Sequence, residues 1–257
     1  MSNIDNSLKE IGKLNDLQQR NQWLNNIHPL VKLLLTVIYI LLVVSVDKYN
    51  LGQMLVLAIY PFMVFNIGDL RLKEAIYRMR LILPLVMMVG MFNPIFDSSI
   101  EAGIISMVTL MLKGIYTVMV AYALIATTSI EAICYALRQI YIPQILVVVI
   151  LLIYRYIFIM GQEADRIMTA YKLRAPAQKG INYKAWGSLI GQWLIRSMDR
   201  AESVYESMQL RGFRGEYAYA SKAKIRLADI LYLIIWIGVF AVLRFTDIVD
   251  VIGGLFI

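Results

Sequence analysis

The sequence predicts an all-α integral membrane protein with about five transmembrane helices and a cytoplasmic region of one short and two long crossed helices. Three observations carry this. Sixty per cent of the residues are hydrophobic, against about 45 to 50 per cent in soluble domains. The mean hydropathy is +0.65, so water is not the chain's only solvent. The charged residues collect between apolar blocks, several of which have the length of a bilayer crossing.

Leu30 to Val46 is apolar except for Lys32 near one end and stops at Asp47-Lys48-Tyr49-Asn50, which makes it the first span. Leu51 to Phe65 follows after a very short turn, as an antiparallel neighbour does; Pro61 is tolerated there if packing satisfies the carbonyl it frees. A basic connector with Arg71, Lys73, Arg78 and Arg80 leads to Leu81 to Phe96, a thin span or re-entrant element that holds Pro84 and Pro94 and ends at Asp97-Ser98-Ser99. Ile104 to Thr127 is the longest apolar block, with Lys113 in its interior. Ser129 as N-cap and Glu131 in the first turn open a short amphipathic helix over Ile130 to Ile140, ended by Pro143. Gln144 to Met160 is apolar almost all round and runs on without a breaker to Arg174. Asp229 to Phe245 is the last span.

The connectors fix the orientation. Lys9, Lys13 and Arg20 precede the first span and four basic residues fill the second connector, while the first has only Lys48 and the third none. The N-terminus is therefore expected in the cytoplasm. Four crossings return the chain there at Thr127. Twelve Lys or Arg lie between Arg166 and Arg226, and a fifth crossing at Gln144 to Met160 would put them outside. That block is expected to lie along or beneath the membrane instead. The chain then divides into 1–128 with four spans, 129–226 with the cytoplasmic helices, and 227–257 with the final span. The first 28 residues lack an apolar core near their start and do not read as a cleavable signal peptide.

Two long helices are expected over Pro143 to Ala175 and Tyr183 to Arg211, joined through Pro176 and Gly180. The second has an apolar seam at Trp186, Ile190, Trp193, Ser197, Ala201, Val204 and Met208, and small residues in mid-seam permit a close helix crossing.

Several chemistries are excluded or disfavoured. No Gly-x-x-x-x-Gly-Lys-Ser/Thr pattern occurs, so the chain has no evident nucleotide site of its own. One histidine, His28, and one cysteine, Cys134, form no metal cluster, and Cys134 reads as a small core residue. No cofactor is expected. No Asp or Glu lies within Leu30 to Val46, Leu51 to Asn66, Leu81 to Phe96, Ile104 to Thr127 or Ile230 to Phe245, which disfavours ion-coupled transport by this chain alone. Lys113 reads as a structural intramembrane cation. The net charge of +7 is first explained by lipid headgroups and topology, and no nucleic-acid partner is expected.

At the ends of the two long helices the sequence resembles the transmembrane T component of energy-coupling-factor transporters, the CbiQ/EcfT family. Leu173-Arg174-Ala175 looks like the first of the family's two short arginine motifs and Leu210-Arg211-Gly212 like the second, within Met208-Gln209-Leu210-Arg211-Gly212-Phe213. His28-Pro29 opening the first span, and the spacing of Leu137, Ile142-Pro143, Arg155, Glu163 and Ala170 before Arg174, also match. Leucine stands before both arginines where the family commonly has alanine. The wording leans to the cobalt-type CbiQ branch.

The resemblance implies a non-catalytic coupling subunit of an importer for a transition-metal ion or a vitamin. Arg174 and Arg211 would dock into grooves on two ABC-type ATPase subunits, the same or different. The apolar side of Gln144 to Met160 would meet a membrane-embedded, substrate-binding S component, in the inner or plasma membrane. A guanidinium suits such grooves because it makes bidentate, charge-assisted bonds to carboxylates. Two other readings stay open on the residues alone. One is a membrane enzyme acting on lipids or isoprenoids with Glu163, Asp165 and Asp199 as acids; the other is a pore or structural adaptor.

Overall fold

The computed structural model describes residue 18 and residues 22–96, 99–176, 178, 180–215 and 225–245. The basic residues Lys9, Lys13 and Arg20, the Asp97-Ser98 pair, and Lys179, Lys222 and Lys224 lie outside the described residues, as does most of the leading segment. All regular structure among the described residues is helical: α1 Trp23–Asn26, α2 Pro29–Ser45, α3 Leu51–Leu57, α4 Ile59–Ile67, α5 Leu72–Gly90, α6 Asn93–Phe96, α7 Ile100–Thr127, α8 Ile130–Gln139, α9 Gln144–Arg174, α10 Tyr183–Leu210 and α11 Leu227–Phe245. They fall into two compact units. One, within Leu14–Ala136 and Ser221–Ile257, holds α1 to α7, most of α8, and α11; the other, within Leu137–Ala220, holds α9 and α10.

Length and composition suit α7, α9 and the Leu227–Arg244 stretch of α11 to a full crossing, with α2 and Leu51–Ile67 as shorter apolar elements. The chain is an all-α membrane protein. The connector before the third apolar block is shorter than expected, because Lys73, Arg78 and Arg80 already belong to α5. Glu74 in the first turn of α5 accepts a 2.8 Å bond from the Tyr122 hydroxyl of α7, which anchors that early start.

The first unit is built around an aromatic cluster. Tyr39 of α2, Tyr60 of α4, and Trp236 and Phe240 of α11 stack edge-on or tilted with ring centres 4.6 to 5.7 Å apart, in the range where such pairs add to simple burial. The second apolar block breaks at Ala58 into α3 and α4. Pro61 brings no N–H to the carbonyl four residues back, and the Tyr39 hydroxyl donates to that Leu57 carbonyl at 2.9 Å. The condition attached to Pro61 is met by a side chain of the neighbouring helix.

Helices α5 and α7 run antiparallel. Gly114 lies against Val86, and Gly103 against Pro94, where a Cβ would stand 2.4 Å from the proline Cα. Asn93 reaches across to the Ser106 hydroxyl at 2.9 Å. Only glycine permits that approach at 103.

The last carbonyls of α2 have no intrahelical donor, and two cations supply them. Lys113 of α7 donates to the carbonyls of Val44 (3.1 Å) and Val46, and Arg244 of α11 donates to the carbonyl and hydroxyl of Ser45, both at 3.3 Å. Positive charge at a helix C-terminus also complements the dipole. Lys113 thus caps the end of α2 beside the Asp47–Asn50 turn, a structural role.

Candidate functional site

At the opposite end of the same bundle three helix termini are tied together. His28 caps α2, its Nδ1 accepting from the Leu30 N–H at 3.2 Å, with Pro29 at the first helical position. The His28 main-chain N–H and the Arg226 N–H donate to the two oxygens of buried Asp229 at 3.2 and 2.8 Å. Lys32 sends its ammonium to the Thr127 carbonyl at 2.9 Å. The start of α2, the end of α7 and the start of α11 therefore share one level, and the segment between Thr127 and Arg226 leaves this bundle and returns to it at the same end.

That segment opens with α8, where the Ser129 hydroxyl accepts from the Ala132 N–H at 3.2 Å and Glu131 lies in the first turn. Cys134 is buried in this helix, which pushes its thiol pKa up. Tyr141, with φ at +62°, turns the chain toward α9.

Helices α9 and α10 form an antiparallel pair. At its waist the Trp193 indole donates to the Met160 carbonyl at 3.0 Å, and Arg196 pairs with Glu163, which Arg166 also approaches at 3.4 Å. The hydrogen bond and charge of Arg196, with Arg166 second, hold the Glu163 carboxyl below the usual carboxylate range. At one end Gln144 donates to the Gly215 carbonyl at 2.6 Å. At the other the Tyr171 hydroxyl donates to Gln178 at 3.0 Å and accepts from the Asn182 N–H at 3.1 Å, closing the turn. Of the expected seam, Ser197, Ala201, Val204 and Met208 line the cleft between the helices and Trp193 bonds across it, while Trp186 and Ile190 beyond the waist are exposed.

The six residues singled out in the sequence occupy the two tips of this pair. Leu173 and Arg174 end α9, with Leu173 77% exposed, and Ala175 is the C-cap. Pro176 stops the helix by forcing Ala175 out of the helical region, to φ −129° and ψ 61°.

Leu210, 90% exposed, and Arg211 end α10. Gly212 adopts φ +76°; its N–H bonds the Gln209 carbonyl at 2.9 Å and the Phe213 N–H bonds the Met208 carbonyl at 3.0 Å. This is a Schellman cap. It turns Phe213 back beside Met208, where both line the cleft between the helices, and leaves Leu210 and Arg211 projecting.

The motifs are thus not brought together. They stand at opposite ends of the pair, on the order of 40 Å apart at 1.5 Å per residue. Each presents a leucine beside a guanidinium at a helix C-terminus. Sequence reasoning found the tips but not the waist or the Gln144–Gly215 clasp; spacing alone carries no signal for the latter. Among the described residues no group of three His, Cys, Asp or Glu side chains could hold a metal ion.

Residues 20–221 match the model of the CbiQ family, described as cobalt transport protein. An uncharacterised protein of Methanocaldococcus jannaschii is 27% identical over 157 residues, 60% of this chain and 53% of its own. The nickel permease LarQ of Lactiplantibacillus plantarum is 29% identical over 115 residues, 43% and 42% of the two chains. A protein of Methanocorpusculum labreanum named as a fused cobalt transport protein, CbiMQ, is 33% identical over 95 residues, 37% of this chain and 16% of its own. The chain spans about half or less of the length of these relatives.

Proposed function

The chain belongs to the CbiQ family of cobalt transport proteins and is a component of a membrane transporter, and on that premise we propose that it is the coupling subunit of an ATP-driven importer. In this reading α9 and α10 carry the movement of two ABC-type ATPase subunits to a membrane-embedded, substrate-binding subunit. The cargo is a transition-metal ion, cobalt or nickel by the names of the relatives, with a vitamin as the alternative cargo class.

The observation that carries this is the pair of tips. Two Leu-Arg ends, both exposed, stand at opposite ends of one clasped helix pair. A lever that joins two motor subunits needs that arrangement: each tip offers an apolar knob and a planar cation for an acidic groove. Relative motion of the tips tilts the helices between them.

Charge and connectivity support a location for α9 outside the bilayer core. The segment after Thr127 and the one before Arg226 meet the bundle at the same end. If α9 crossed the bilayer, α10 would have to cross back, carrying Arg196, Asp199, Arg200, Glu202 and Glu206 with it. Such charges in lipid are costly, so both helices are assigned to the cytoplasmic side, with the N-terminus. The outward apolar face of α9, at Leu146, Ile150 and Ile157, is then available to the substrate-binding subunit. The lipid- or isoprenoid-enzyme reading is disfavoured, since Glu163, one of its three acids, is engaged by Arg196 and Arg166 and the family is one of transport proteins.

The test is charge reversal at both tips. The Arg174→Glu, Arg211→Glu double variant should insert to the wild-type level yet fail to co-purify with ATPase subunits. Unchanged co-purification, or labelling of position 174 or 211 from outside the cell, rejects the proposal.

A further inference from the structure

Tyr141 combines backbone strain with exposure. Its φ of +62° is left-handed, a region that a bulky side chain rarely enters. Its N–H bonds the Arg138 carbonyl at 3.1 Å and the Ile142 N–H bonds the Leu137 carbonyl at 3.3 Å. This is the Schellman cap that Gly212 forms at the end of α10, with a tyrosine at the position glycine usually fills. The side chain is 96% exposed, so packing within the chain does not compensate for the unfavourable backbone. A ring kept at such a position points to a contact outside the chain.

The course of α8 shows where that contact lies. Helices α2 and α11 begin, and α7 ends, at the corner of His28, Lys32, Thr127 and Asp229, so this corner is where the bundle meets water. Ser129 caps α8 two residues after Thr127. Tyr135, six residues on and about 9 Å along the helix, lies against His28 with ring centres 6.3 Å apart. Cys134 and Ala136 on either side of it are fully buried. Helix α8 therefore runs across the end of the bundle, along the membrane surface and not away from it.

Tyr141 follows about 9 Å further along the same axis, at the same depth. From Gln139 to Tyr154 the chain carries no charge, and Ile140 and Ile145 near Tyr141 are 40% and 62% exposed. Apolar side chains left uncovered at this depth meet the headgroup layer. A tyrosine suits that layer because its ring takes the apolar side and its hydroxyl the wet one.

We infer that Tyr141 anchors the elbow between α8 and α9 in the headgroup layer of the phospholipid leaflet along which α8 lies. The anchor holds the root of α9 at a fixed depth and gives the α9–α10 pair a pivot for its tilt. The inference rests on α9 lying outside the bilayer core, as proposed above, and not on contact with ATPases.

The test uses the full chain, with whatever subunits co-purify, in vesicles of phosphatidylethanolamine and phosphatidylglycerol. In a Cys134→Ala background, a nitroxide on Tyr141→Cys reports depth through its collisions with oxygen, which concentrates in the bilayer, and with a water-soluble nickel chelate. Labels on Leu41→Cys and Glu202→Cys, at exposed positions of α2 and α10, give the bilayer and water limits. The label at 141 should fall between them. A value equal to the water limit overturns the inference, and so does low collision with both reagents, as under a polypeptide.

Two substitutions separate the ring from the strain. Tyr141→Asn suits a left-handed residue better, so without an external contact it should slow amide exchange at 140–142 in vesicles. Loss of an anchor instead makes those amides exchange faster, and Tyr141→Trp, which keeps an interfacial ring, should hold the wild-type rate. Slower exchange in the asparagine variant overturns the inference. The Arg174→Glu, Arg211→Glu variant should lose the ATPases and leave the depth of 141 unchanged. A label that left the headgroup layer with them would overturn the anchor, whereas ATPases retained at unchanged depth would reject the coupling role alone.

Discussion

The main-chain N–H of His28 donates to the Asp229 carboxylate at 3.2 Å, joining the start of the first span to the start of the last across 201 positions of sequence. The other oxygen of Asp229 takes the Arg226 N–H. One carboxylate thus satisfies two N–H groups at helix starts, where its charge also complements both dipoles. Because Lys32 binds the end of α7 at the same level, this corner gathers both attachment points of the α8–α10 segment.

Asp229→Ala should therefore destabilise the bundle by about 2 kcal/mol, since it strands one buried donor, the His28 N–H, and one part-buried donor, the Arg226 N–H. Asp229→Asn keeps one acceptor oxygen and should cost about half as much. Thermal unfolding in detergent measures both; equal losses would show that charge alone, not donor pairing, holds the corner.

A second prediction concerns Tyr39 and Pro61. Tyr39→Phe leaves the Leu57 carbonyl without a donor and should cost about 1 kcal/mol. In a Pro61→Ala background the new Ala N–H can reach that carbonyl, so the same Tyr39→Phe change should cost close to nothing. A double-mutant cycle on unfolding temperature reads the coupling, and strict additivity would refute it.

How far the sequence shows this depends on the kind of signal. The helices with caps or breakers at their ends, such as α8 behind Ser129 and α9 before Pro176, lie within a residue or two of their expected ranges, because capping and proline act locally. In the sequence the basic start of α5 reads as a connector, since charge marks an aqueous level and not a break in helix. Lys113 could be named as structural but not assigned its partners: the carbonyls of Val44 and Val46 are 69 and 67 positions away. The six tip residues stand out by resemblance to the family's two arginine motifs, whereas Pro176 and the Gly212 turn mark only where the two helices end. The Glu163–Arg196 strut does not stand out, as a charged helix face gives no hint of which residue will find a partner on another helix.

That strut carries a pH dependence. Its folded-state carboxyl is held low by Arg196 and Arg166, so its contribution is present above the unfolded carboxylate value, about 4.3, and is lost as pH falls through the lower folded value. Glu163→Gln should unfold at a lower temperature than wild type at neutral pH, with the gap constant above about pH 5 and closing in acid. Added salt should narrow it, since Arg196 is half exposed. Unfolding scans from pH 7 downward decide; a gap that widens in acid would reverse the assigned sign.

The two tips are built differently, and the difference can be measured. Gly212 sits at φ +76° with nothing within 4 Å of where a Cβ would lie. The penalty of Gly212→Ala is therefore conformational alone, about 1 kcal/mol for a left-handed residue. Gly212→Asn, which tolerates that region better, should cost less. Ala175 caps α9 at φ −129°, so the tip there does not depend on a left-handed residue, and Ala175→Gly should only loosen it. If the Schellman turn holds Leu210 and Arg211 ready for a partner, ATPase co-purification should fall about fivefold in Gly212→Ala, which is 1 kcal/mol expressed in binding. It should fall less in Gly212→Asn, and least in Ala175→Gly. The same order should appear in unfolding temperature only faintly, because both tips are exposed. Equal losses of binding at the two tips would mean that cap geometry does not set the docking of Arg211.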